Sequence, residues 1–350
     1  KAVTIADYTF LLNKTVTTAS IATTTTAPWP DGVVHVRQGN YATDYKVLID
    51  DVVKASYTTS ATDVTTLKTN GIAQNLGNQL VNSLGSAYTL TLKGNAIRIQ
   101  RTDGNDFTLT TEDSFGNKAL IPAKGSIQRF SDLPAQAFDG FQIEIIGEKA
   151  SESDNYYVEY EQGDDAVGVW KETVGVGADN TINPATMPWK LVRNSDTSFT
   201  LEPNTWGSRL AGDLISAPEP SFIGRKLNDV FFHRNRFGVI ADENVIFSRS
   251  GKYFEFYPET VTTLLATDPI DVAVSHTKVS ILRHAIPFNE TLLLFSDQTQ
   301  FTLSAGDSLT PETVSINQTT EYESSLQAEP VGAGEYVYFA TNREGFTGIR

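Results

Sequence analysis

Along most of the chain, apolar and polar residues alternate over four to seven positions and then halt at Gly, Asn, Asp or Pro. That is the pattern of half-buried strands closed by tight turns. Helical spacing occurs in one stretch: Val64, Leu67, Leu76, Leu80 and Leu84 recur at multiples of three to four and predict a helix near 60–84. Thr62 or Asp63 can cap its start and Gly85 its end. Asn70-Gly71 is expected to kink or divide it, because glycine costs about 1 kcal/mol relative to alanine inside a helix. Alternating segments Val33–Arg37, Tyr45–Ile49 and Val53–Thr58 precede the helix. Tyr88–Leu92, Ala96–Gln100 and Phe107–Thr110 follow it, separated by turn signals at Lys93-Gly94-Asn95 and Asp103-Gly104-Asn105. Three strands, a helix and three strands predict a small α+β module over residues 31–114.

The flanks read differently. A low-complexity run at 22–27, followed by Pro28 and Pro30, predicts an extended entry segment, and Pro122 and Pro134 mark the far side of the module. Residues 1–30 and 115–217 form a β-rich platform region in this reading, with clean alternation at Phe141–Ile146 and Tyr156–Tyr160. From Pro218 the chain repeats a hairpin shape. Arg236–Ser248, Glu290–Leu303 and Glu335–Thr347 each read as apolar strand, polar turn, apolar strand, with starts 54 and 45 residues apart. Paired short strands at such a period fit β-propeller blades, so 218–350 is expected to hold an incomplete propeller. A β-sandwich with irregular hairpins is the competing architecture. The fold class expected is mainly β: a partial C-terminal propeller, a platform and an inserted α+β module.

Length and composition narrow the classes. The chain has 350 residues, about 40% hydrophobic and 20% charged, with a mean hydropathy of −0.22. No stretch approaches the roughly 18 apolar residues of a membrane span. Lys1 to Phe10 lack the apolar core of a signal peptide. Met187 is the sole methionine and the last residues read as a strand cut short, which predicts an internal portion of a longer polypeptide. Without cysteine there are no disulfides, thiolate metal sites or thiol nucleophiles. With 42 acidic against 27 basic residues the net charge is −15 and the pI about 4.7. Gripping phosphate backbones needs a basic face, so nucleic-acid binding as the main task is disfavoured, although an acidic wall can let DNA pass.

Candidate chemistry is sparse. There is no Gly-x-Ser-x-Gly elbow. Ser275-His276-Thr277-Lys278 fits Ser-x-x-Lys, a four-letter match expected by chance. The histidines are His35, His233, His276 and His284, with no His-Glu-x-x-His; His276 and His284, eight apart, would share a face of one strand. Gly175-Val176-Gly177 lacks the third glycine and following helix of a phosphate cradle. The acidic pairs Asp50/Asp51, Asp164/Asp165, Asp242/Glu243 and Asp268/Asp271 could serve a glycosidase only inside a cleft. All fall at expected strand ends or turns, where Asp bonds its own backbone. The acidic stretch 144–165 lacks a calcium-loop pattern and reads as solvated surface. Arg225, Lys226, His233, Arg234 and Arg236 form a basic cluster against this background. Arg225, Lys226, Arg234 and Arg236 are therefore candidates for a subunit or DNA contact, the alternative being edge charges that prevent sheet-to-sheet pairing. Phe231, Phe232, Tyr253, Phe254 and Phe256 are candidates for blade cores or subunit contacts.

The segment Pro220–Phe256 resembles the tail tubular protein B (tail nozzle protein) family of short-tailed, podovirus-type bacteriophages. So do Asp268-Pro-Ile-Asp-Val-Ala, Pro287–Ser296, Leu309-Thr-Pro-Glu-Thr-Val-Ser, Phe130-Ser-Asp-Leu-Pro, Asp154-Asn-Tyr-Tyr-Val, Thr186–Arg193 and the opening Ala6–Lys14. The resemblance spans essentially the whole chain and brings no catalytic residue, cofactor or metal. It implies a structural virion protein of the phage tail, made in the host cytoplasm, with a β-propeller in its fold. It further implies a homo-oligomeric ring, a hexamer in the best-known members, below the portal and its adaptor ring protein (tail tubular protein A) and near the tail fibres. Such a ring retains double-stranded DNA and then conducts it during ejection without specific binding. Two alternatives from other classes are a tail-associated peptidoglycan or capsular polysaccharide hydrolase, which needs a carboxylate pair in a cleft, and a glycan-binding module. The latter would expose Trp29, Trp170, Trp189 or Trp206 on a flat face.

Overall fold

Helical periodicity turns into one α-helix, Thr69–Leu84, preceded by a 3-10 turn at Val64–Leu67. Asp63 caps that turn by accepting from the Thr65 amide at 2.9 Å, and Gly85 ends the helix with φ +70°. The break falls at Lys68, whose backbone is extended, instead of at Asn70-Gly71. Gly71 sits in the first helical turn, where the interior penalty does not apply in full. The structure, a computed structural model, describes all residues except 6–7, 23–29, 148–153, 164–167, 179, 196, 276–279, 326 and 344.

The chain divides into two compact units. One comprises 24–177 with 211–216 and is built on an eight-stranded sheet. Its order is Gly168–Thr173, Tyr156–Gln162, Gln142–Ile145, Ser126–Ile127, Leu120–Lys124, Asp31–Val36, Ala96–Arg101, Tyr88–Lys93. All neighbours are antiparallel except Ser126–Ile127 beside Gln142–Ile145. A three-stranded sheet, Val52–Thr58, Asp44–Ile49 and Leu109–Asp113, completes it.

The central strand Asp31–Val36 is buried on both faces, which explains its unbroken Val33-Val34-His35-Val36 run. Val34 and Val36 face a core shared with Tyr45, Ile97, Ile99 and the helix residues Ile72, Leu76 and Leu80. Val33 faces a second core with Phe138, Phe141, Ile143 and Val158. Gly77 lets the helix approach the sheet, since a Cβ there would lie 3.0 Å from the Leu92 methyl. The expected boundary near residue 115 does not divide the molecule: Leu120–Lys124 pairs directly with Asp31–Val36, so the module and residues 115–177 share one sheet.

Asp113 ties the end of this unit's three-stranded sheet. Its Oδ1 accepts from Phe115 N and Asn117 N and its Oδ2 from Ala119 N and Leu120 N, all at 2.8–3.0 Å. Burial works to raise its pKa, but the four amide donors outweigh it and hold the carboxyl below the usual aspartate value. Asp113→Asn swaps one acceptor oxygen for a donor facing two amides. It is expected to cost about 2 kcal/mol, read as a lower urea midpoint; an unchanged midpoint would refute this account of the loop.

The other unit comprises 1–23, 178–210 and 217–350. It contains three four-stranded antiparallel sheets. The first joins Ala2–Ile5, Tyr8–Leu11, Trp189–Ser195 and Ser198–Pro203, so the opening residues and 189–203 belong together, not with residues 115–177 as expected. The second is a meander of Leu227–His233, Arg236–Ala241, Asn244–Phe247 and Ile270–Ala273. The third repeats that order with Leu282–Phe288, Thr291–Ser296, Gln300–Ser304 and Ser315–Thr320. These are the first two of the three expected hairpins, each extended by one strand on either side. The third differs. Tyr336–Tyr338 pairs back to Val331–Ala333, and Ala340–Arg343 pairs forward to Phe346–Ile349, giving two separate ribbons.

The second and third sheets share a core in which Phe231, Ile240, Val245 and Phe247 meet Leu282, Ala285, Leu292 and Leu294. Phe10 and Leu12 of the N-terminal segment share another with Trp206, Phe222, Phe237 and Phe256. The architecture is mainly β, and among the described residues the sheets close neither a propeller ring nor a barrel.

Candidate functional site

Strand geometry separates the basic residues that the sequence places together. Seven residues at about 3.3 Å each set the ends of Leu227–His233 about 20 Å apart. Arg225 and Lys226 lie just before one end, and Arg234 lies beyond the other. Arg225 Nη1 donates to Asn244 Oδ1 at 3.0 Å, its Nε lies 3.7 Å from the Asp242 carboxylate, and the Lys226 side chain is exposed. Arg234 and Asn235 form the two-residue turn, both at positive φ (45° and 60°), as a primed hairpin turn requires. Arg234 Nη1 donates to Gly306 O at 2.9 Å, and Nη2 lies 4.0 Å from Glu290. With Ser250, Ala266, Thr267, Asp307, Leu309 and Thr310 it lines an open groove of mixed character, about 410 Å³ in volume.

Arg236 leaves the surface altogether, which corrects its place in the expected contact patch. Its side chain is fully buried on a strand buried at every position. Nη1 donates to Ser248 O at 2.8 Å, Asp268 O at 2.6 Å and Thr267 O at 3.4 Å. Nη2 donates to Ala266 O at 2.8 Å and Leu309 O at 3.2 Å. Burial pushes the guanidinium down to about 10, with the Asp268 charge working against that shift. The group joins two sheets and the 266–268 loop from within. His233 is buried and held to about 4, by burial and then by Arg234, so it adds no charge to a surface at neutral pH.

The aromatic candidates are core residues or lie against the core. Phe231 and Phe256 are buried, Phe254 packs on the Trp206 ring, and Phe232 stacks edge-on with Tyr253 at 5.1 Å. Trp206 is also buried, and Trp170 is held by Phe141, Tyr160 and a bond from its Nε1 to Pro134 O. Trp189 is 37% exposed, so these three do not form a flat glycan-binding face; Trp29 lies outside the described residues.

Where described, the acidic pairs form turns or accept hydrogen bonds from nearby amides. Asp50 and Asp51 both adopt positive φ in a hairpin turn, as does Asp242 in the next unit's hairpin. Asp268 accepts from Leu265 N, and Asp271 from Ser221 N and Asn244 Nδ2. Asp164/Asp165, residues 276–278 of Ser275-His276-Thr277-Lys278 and residues 23–27 of the 22–27 run lie outside the described residues. Gly175 N donates to Gly212 O at 2.8 Å, and the next helical turn among the described residues is the 3-10 turn Pro184–Thr186.

Charge is spread over both units. Residues 24–177 with 211–216 carry 21 acidic and 12 basic side chains, and the remainder 21 and 15. Neither unit has the basic balance of a phosphate-gripping domain.

One cluster escaped the sequence reading because its members are 45 to 55 residues apart: Asp229, His284 and Glu329, whose ligand atoms all lie within 4.8 Å of one another. Periodicity carries no signal for it; only the packing of consecutive sheets brings it together.

A family model described as "Bacteriophage nozzle protein" matches residues 1–350. The tail tubular protein gp12 of Escherichia phage T7 is 37% identical over 358 residues, covering 100% of this chain and 45% of that relative. The chain therefore spans about half the length of the relative it matches.

Proposed function

The chain belongs to the bacteriophage nozzle protein family, and from that premise we propose that it is a structural, non-enzymatic part of the tail nozzle of a virion. In this reading copies of the chain form a homo-oligomeric ring against a tail adaptor ring, and the ring retains and then conducts double-stranded DNA. The 37% identity to a tail tubular protein over the whole of this chain carries the proposal. Three further observations support it. Consecutive four-stranded antiparallel sheets share apolar cores, as propeller blades do, so 218–350 would supply part of a propeller completed by chain outside this segment. Among the described residues, Asp50, Asp51 and Asp242 form hairpin turns, and Asp268 and Asp271 accept hydrogen bonds from amides. Both units are acidic, so a ring of chains each carrying −15 would offer passing DNA a repelling wall and not a grip. Arg225 and Lys226, which are exposed, and Arg234, which is half-buried, would then meet acidic neighbours in the ring.

Mass measurement and electron microscopy of the full-length protein, alone and with its adaptor partner, test this. Closed rings of one stoichiometry are expected. A species that stays monomeric with the adaptor present would overturn the proposal, and so would turnover of labelled peptidoglycan or capsule.

A further inference from the structure

Asp229 is fully buried at the start of the Leu227–His233 strand. Its Oδ1 accepts from Val230 N at 2.9 Å and its Oδ2 from Ala285 N at 3.0 Å, which leaves each oxygen a free lone pair. His284 of the neighbouring sheet is 8% exposed, and neither ring nitrogen has a hydrogen-bond partner among the described residues. Its Nδ1 lies 3.9 Å from Asp229 Oδ2. A buried imidazole with both nitrogens bare is costly unless something binds there. The Glu329 carboxylate closes the group from the exposed side. Lys1 already sends its ammonium into this space, 3.8 Å from Asp229 Oδ1 and paired with Glu329.

We propose that Asp229, His284 and Glu329 form a site for a divalent transition-metal ion of the zinc class, in which the Lys1 ammonium stands in for the ion. One imidazole and two carboxylates are the mixed N/O donor set that such ions prefer, at about 2.0–2.2 Å from each ligand. Tetrahedral ligands at that distance are about 3.4 Å apart, so the present separations close by small side-chain movements. Asp229 is held by its two amide donors and His284 by its strand, while Glu329 and Lys1 are the parts free to move. Binding displaces Lys1, and the ion then clamps the second and third sheets to the segment carrying Glu329. The role is structural and independent of the nozzle reading.

Zn²⁺ itself is the probe. Chelator-stripped protein should take up one equivalent in a saturable titration, measured by calorimetry and by metal analysis after dialysis. Glu329→Gln, at an exposed position, should weaken the affinity by at least about tenfold, and His284→Gln by more. Lys1→Met removes the competing ammonium and should tighten binding, which a merely adventitious surface site would not do. Absence of saturable uptake, or an affinity unmoved by both Glu329→Gln and Lys1→Met, overturns the assignment.

Discussion

Arg236→Met is expected to lower the unfolding free energy by about 4 kcal/mol, among the largest losses any single substitution in this chain should produce. Methionine matches much of the side-chain volume, so the loss does not come from a cavity. It comes mainly from the carbonyls of Ser248, Asp268 and Leu309, which keep their burial and lose their charged donor, while those of Ala266 and Thr267 lie on the more open loop. Arg236→Lys should recover only a minor part, because an ammonium cannot reach two diverging sets of acceptors as a planar fork does. Arg234→Met is the internal control: its guanidinium makes one carbonyl bond at a turn and a loose pair at 4.0 Å, so it should cost under about 1 kcal/mol. Urea unfolding of the three variants gives the comparison. Equal losses at 234 and 236 would mean that the buried guanidinium does not hold the sheets.

That contrast also marks the limit of reading this fold from sequence. Arg234 and Arg236 are two residues apart and look alike in a basic run. Their different fates depend on carbonyls from residues 266–268 and 309, which no local pattern announces. Local signals did carry far. The helix ended by Gly85, the 3-10 turn that Asp63 caps before it, the six strands around them and the two hairpins beginning at 236 and 290 form close to where periodicity and turn chemistry place them. Positive-φ residues at Asp50, Asp51, Asn235 and Asp242 sit at turns of the type their side chains favour. Partnerships across long sequence distances were not legible. Tyr8–Leu11 beside Trp189–Ser195 joins strands about 180 residues apart, and two alternating strands carry no label naming each other. The same holds for Asp229, His284 and Glu329. The hairpin expected at 335–347 failed for a related reason: Tyr336–Tyr338 alternates equally well toward either neighbour, and pairing with Val331–Ala333 won.

Acidification from pH 7 to pH 5 is expected to destabilise both units through buried histidines, His35 in one and His233 in the other among them. His35, on the central strand of the eight-stranded sheet, is held near 4, first by burial and then by Arg37, with Asp132 acting in the opposite direction. His233 is held near 4 by burial and Arg234. In the unfolded chain both imidazoles take up a proton near pH 6.5, whereas in the folded chain both stay neutral until about pH 4. Between those values the unfolded state binds more protons, so stability falls as pH drops through 6.5 and levels off below 4. At pH 5 the loss should be roughly 2 kcal/mol for His35 and less for the more open His233. Asp31 acts in the other direction. Burial raises its carboxyl against the pull of Arg98, so the folded state binds that proton first and regains some stability at the acid end. The histidine effect is therefore cleanest at the upper end of the window, above pH 5. Urea midpoints at pH 7 and pH 5 should separate widely for the native chain, and His35→Gln should narrow the gap for the unit containing residues 24–177 alone. Identical midpoints at the two pH values, or a gap that His35→Gln leaves unchanged, would mean that the imidazole is already charged or solvated where the fold buries it.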